Sequence, residues 1–67
     1  MTGPEYAAAL KQLGLTQVAA SDLFGASPRS GRYWAKDGPP VPVGIVVKLL
    51  ATGRLTLADV EAAKGGN

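Results

Sequence analysis

Four hydroxyl residues stand at the head of apolar-periodic segments, and most of the segments they open end on a glycine. Helices in this chain are therefore short and numerous. Thr2-Gly-Pro-Glu5 carries a complete start signal: Thr2 can cap the amides that follow, Pro4 suits a first turn, and Glu5 can close a capping box. From there Tyr6, Ala9, Leu10 and Leu13 form one apolar stripe, and Gly14 stops the helix. Thr16 opens a second helix of about eight residues, QVAASDLF, which Gly25 ends. Ser27-Pro28 opens a third, expected over residues 28–37, which Gly38-Pro39-Pro40 closes. Thr56 caps a last helix, LADVEAAK, and residues 65–67 are expected to form a flexible tail.

Between the third and last helices the signals are less plain. The run DGPPVPVG reads as an extended internal loop. Residues 43–52 are apolar on more than one side, with Lys48 the only charge, so a fourth helix is expected there with a face in need of a partner. The fold class that follows is all-α: a compact bundle of about five short helices, with residues 1–64 as a single domain. A chain of 67 residues leaves no second core.

Composition removes whole classes of function. There is no Cys and no His, so thiol nucleophiles, imidazole bases, and Cys/His metal or haem sites are not available. We expect no metal and no cofactor. The carboxylates Glu5, Asp22, Asp37, Asp59 and Glu61 fall on capping or exposed positions, and no glycine-rich phosphate loop follows a strand, so no enzyme or small-molecule substrate is expected. The most apolar run, GIVVKLLA, is far short of the roughly 20 residues that span a bilayer. MTGPEYAAALKQ has neither a basic leader nor a long apolar run, and the missing cysteines suit a reducing cytoplasm, which is the expected location.

The net charge of +2 is small, but its distribution is not even. Residues 1–22 sum to −1 (Lys11 against Glu5 and Asp22), and residues 55–67 also sum to −1 (Lys64 against Asp59 and Glu61). Residues 23–54 hold Arg29, Arg32, Lys36, Lys48 and Arg54 against Asp37 alone, for +4. The centre of the chain is where an anionic partner would bind.

That centre has a recognisable spacing. In LTQVAASDLFGASPRSGRYWAKDG a short amphipathic helix is followed by a tight Gly-Ala-Ser turn and, at once, a second helix, the arrangement of a helix-turn-helix. The segment resembles the lambda-repressor-like (Cro/XRE-type) DNA-binding family, which commonly reads L-[ST]-Q-x-x-[LA]-A-x-x-[LF]-G-V-S-x-x-T-[IV]-x-x-W. The match lies at Leu15, Thr16, Gln17, Ala20, Phe24, Gly25, Ser27 and Trp34. Two departures from the pattern bear on how the helices pack. Gly31 replaces the usual Ile or Val, and Ser21 replaces a usual Ala; we expect Phe24 or Trp34 to fill the volume so that the helices approach closely.

The resemblance implies that Gln17 hydrogen-bonds a phosphate and that the outer face of helix three enters the major groove of double-stranded DNA. The expected DNA-binding set is Gln17, Ser27, Pro28, Arg29, Ser30, Arg32, Tyr33 and Lys36. Arg29 is the best candidate to fork onto guanine O6 and N7; Arg32 and Lys36 suit phosphates; Tyr33 suits a base methyl or a phosphate. Ser27 can serve as helix cap, and Trp34 belongs to the core.

The apolar excess of residues 43–57 leads us to expect a homodimer, with Val43, Val47, Leu50 and Leu57 at its interface. The function expected is a sequence-specific transcriptional regulator of the repressor type. The alternative is a protein-interaction or antitoxin-like adaptor that uses the apolar surface of helix 43–52.

Overall fold

The computed structural model describes residues 1–66. Within them lie five helices and no strand: α1 (Gly3–Leu13), α2 (Gln17–Leu23), α3 (Pro28–Asp37), α4 (Val41–Ala51) and α5 (Leu57–Gly66). The fold is the all-α bundle expected, and none of these helices is long and apolar enough to cross a membrane.

The starts are set by the hydroxyl residues. Thr2 Oγ1 accepts the Glu5 amide at 3.2 Å while Glu5 Oε1 accepts the Thr2 amide at 2.8 Å, a closed capping box. Thr56 and Asp59 form the same reciprocal pair at the head of α5, at 3.0 and 3.2 Å. Thr16 Oγ1 accepts the Ala19 amide at 3.0 Å, and Ser27 Oγ accepts the Ser30 amide at 3.2 Å.

The stop after α2 matters most, because it sets the turn between α2 and α3. Gly25 is left-handed (φ 70°), and the next amide, of Ala26, returns to the Ser21 carbonyl at 2.8 Å. The same closure recurs after α1, where the Leu15 amide reaches the Leu10 carbonyl at 2.9 Å.

Two boundaries differ from expectation. α4 begins at Val41, two residues before the expected start, with Pro40 as its N-cap and Pro42 in its first turn. Proline is harmless there, since first-turn amides have no partner within the helix. The Pro-rich connection thus shrinks to residues 38–40. α5 continues through Gly65 and Gly66, beyond the expected end at residue 64; Asn67 of the expected tail lies outside the described residues.

The core gathers Tyr6, Ala9 and Leu10 of α1, Ala20 of α2, Trp34 of α3 and Val47 of α4. Trp34 meets Tyr6 edge to face at 6.1 Å and Phe24 edge to face at 6.3 Å, so one indole ties α1, α2 and α3 together. α3 packs against both α2 and α1, α4 chiefly against α1, and α5 lightly against α2. Lys64 adds a tether for α5 by donating to the Asp22 carbonyl at 2.6 Å. The radius of gyration is 10.8 Å, against about 10.9 Å for a compact chain of this length.

Candidate nucleic-acid interface

The site is built on α3, and its geometry follows from what the other side of that helix does. Gly31 and Trp34 are the buried residues of α3. At about 100° per residue, Arg29, Arg32, Tyr33 and Lys36 fall within an arc of about 100° on the opposite side. All four are exposed, and Tyr33 keeps 62% of its surface open to solvent.

Two close approaches fix the angle of the helix. At its middle, a Cβ on Gly31 would lie 2.7 Å from the Gln17 carbonyl oxygen and 2.9 Å from the Ser21 Cβ, so α2 itself occupies the space. This corrects the expectation that a Phe24 or Trp34 ring fills it; those rings pack elsewhere, against each other. At its C-terminal end, the α3 carbonyls of Ala35 and Lys36 press against Gly3, where no side chain fits.

The remaining members of the expected set divide by role. Gln17 is exposed in the first turn of α2, and its backbone borders Gly31, so it sits where α2 crosses α3. Pro28 is exposed at the first turn of α3. Ser27 is the N-cap, and its hydroxyl also lies 3.2 Å from that of Ser30. Ser30 is half-buried. Both serines shape the start of α3; Ser27 is exposed like the cations, and Ser30 only in part.

Charge at the helix starts is uneven. α1 and α5 carry Glu5 and Asp59 in their first turns, whereas α2, α3 and α4 have no acid there, and α3 alone of these three places a cation, Arg29, in its first turn. A cation near the positive end of a helix dipole is disfavoured by about 0.3–1 kcal/mol until an anion joins it.

The expected dimer residues are placed differently from expectation. Val47 (1% exposed) and Leu50 (5%) are buried in the protomer's own core, and Val43 and Leu57 are half-buried. α4 packs chiefly against α1, which is why Val47 and Leu50 point into the protomer rather than outward; Leu57 lies on a different helix, α5. The exposed apolar residues of α4 are Val41 (75%) and Ile45 (56%), which a wheel apolar on several sides did not single out.

Comparison with family models, with characterised proteins and with solved structures finds no match to this chain.

Proposed function

We propose that this chain is a sequence-specific double-stranded DNA-binding regulator of the lambda-repressor-like kind, placing the outer face of α3 in the major groove and repressing by occupancy. The observation that carries the reading is the division of α3: Gly31 and Trp34 inward, Arg29, Arg32, Tyr33 and Lys36 outward. Three cations on a braced helix suit a polyanion, and the absence of a first-turn acid leaves the positive end of α3 available to phosphate.

Arg29 reads a base, Arg32 and Lys36 neutralise phosphates, and Gln17 adds a phosphate contact from α2. A homodimer sets two such helices on an inverted repeat, with half-sites about 34 Å apart. Selection from random duplexes tests the reading. Enrichment of a defined site by the wild-type chain, with preference lost at one base pair for Arg29→Ala, is the expected result. A wild-type chain that enriches no sequence, and binds duplex no more tightly at low salt than at high salt, would refute it.

The adaptor reading draws on the exposed Val41 and Ile45. The two differ in salt response, since an apolar protein contact has little of the dependence that phosphate contacts impose.

A further inference from the structure

Four of the five helices keep a cation of their own in the last turn: Lys11 in α1, Lys36 in α3, Lys48 in α4 and Lys64 in α5. α2 has none. A helix C-terminus is the negative end of the helix dipole and leaves carbonyls without partners inside the helix, so a cation there is favourable. The one at the end of α2 comes from elsewhere in the chain. Lys64 of α5, 42 residues on, donates to the Asp22 carbonyl at 2.6 Å. That carbonyl also accepts the Gly25 amide at 3.0 Å, so it belongs to the turn between α2 and α3.

The helix that brings this cation is weakly held. α1 to α4 each bury residues, while no described side chain of α5 is buried. Leu57 and Val60 are its half-buried apolar residues, and neither packs against the core that α1, α2, α3 and α4 share. α5 packs against α2, and its capping box, Thr56 with Asp59, is internal to the helix start. Ten residues ending in two glycines do not hold a helix in water unaided. α5 therefore opens as a unit, and opening takes the ammonium away from Asp22.

We infer that α5 is a releasable strap on the α2–α3 turn, with Lys64 as its clasp. Docked, it supplies the cation that the end of α2 lacks and firms the turn that leads into α3; released, it leaves α1 to α4 folded and that turn looser. Neither of the close approaches that fix α3, at Gly31 and at Gly3, involves α5, so the strap tunes the turn rather than building it. Lys64 acts through α2 and is a positioning residue. The inference rests on the DNA reading only for what a firmer turn is used for.

Amide hydrogen exchange of the full chain without DNA tests it. The amides of α5 are expected to show at least about 100-fold less protection than the slowest amides of α1 and α4. Lys64→Met keeps the aliphatic stem and removes the ammonium. It is expected to lower α5 protection by a further factor of about 3–10, to speed exchange at Gly25 and Ala26, and to leave α1 and α4 as they were. Lys64→Arg is expected to restore the wild-type pattern. An α5 as protected as α1, or a Gly25 amide indifferent to Lys64→Met, would overturn the inference. Duplex binding separates the two ideas: Lys64→Met is expected to weaken it about threefold with the slope against salt unchanged, whereas a slope reduced by about 0.9 would put Lys64 on a phosphate and count against the clasp. A wild type that shows the exchange pattern and binds no duplex defeats only the DNA reading.

Discussion

Gly31 of α3 lies so close to Ser21 of α2 that an added Cβ would stand 2.9 Å from the serine Cβ, with the Gln17 carbonyl oxygen nearer still at 2.7 Å. Backbone cannot yield as a flexible side chain can. Gly31→Ala is therefore expected to destabilise by about 1–3 kcal/mol, although alanine is the better helix former by about 1 kcal/mol. Gly31→Val is expected to cost more. Denaturant melts of the three proteins check this, and an alanine variant as stable as wild type would show that the helices separate without cost.

Tyr6 is fully buried, and its hydroxyl has no hydrogen-bond partner among the described residues. An unsatisfied buried polar group costs about 1–3 kcal/mol, so Tyr6→Phe is expected to leave stability unchanged or raise it while keeping the edge-to-face contact with Trp34.

Alkaline unfolding reports on the same residue. Burial raises the Tyr6 pKa above its ordinary 10.0. Above pH 10 the unfolded chain releases this proton while the folded chain retains it, so the folded state binds more protons and stability falls as pH rises. The contribution is whole below pH 10 and is lost through the raised folded value. Tyr6→Phe is expected to remove that part of the decline in melts taken from pH 8 to 11.

Glu5 moves the other way. The Thr2 backbone amide, and then the Thr2 side chain, hold its carboxyl below the ordinary 4.5, with smaller pulls from nearby positive charges including Lys48. The stabilisation is present above pH 4.5 and is lost as pH falls through the lowered value. Glu5→Gln keeps a capping-box acceptor and is expected to flatten the acid limb. Thr2→Ala is expected to cost about 1 kcal/mol at neutral pH.

On DNA, Arg29→Ala is expected to reduce discrimination at one base pair by about 1–3 kcal/mol. Lys36→Ala is expected to weaken all sequences alike and to reduce the slope of log affinity against log salt by about 0.9. Competition binding at several salt concentrations distinguishes them, and identical behaviour of the two variants would place Arg29 on the backbone as well.

How much of this was legible beforehand depends on the range of the physics involved. Caps are local, so Thr2, Thr16, Ser27 and Thr56 announced four helix starts in the sequence itself, and Gly25 announced the turn between α2 and α3. Pro40 and Pro42 misled because proline breaks a helix from within but is tolerated at its head. The outward set on α3 followed from helical periodicity, since its polar and apolar sides are distinct. α4 offered no such contrast: Val43, Val47 and Leu50 differ from Val41 and Ile45 only in what α1 happens to cover, which is a tertiary fact. Gly31 was visible as a departure, but the reason for it, the passing backbone of α2, belongs to no stretch of sequence near it.

The two braces on α3, Gly31 against α2 and Gly3 against its last carbonyls, have a bearing on how such a protein could change its target. Neither brace involves the side chain of Arg29, Arg32, Tyr33 or Lys36; Lys36 takes part only through its backbone carbonyl. The outward side chains of α3 can thus be exchanged while the frame that aims them stays as it is, so that, on the DNA-binding reading proposed above, a different sequence preference would lie within a few substitutions.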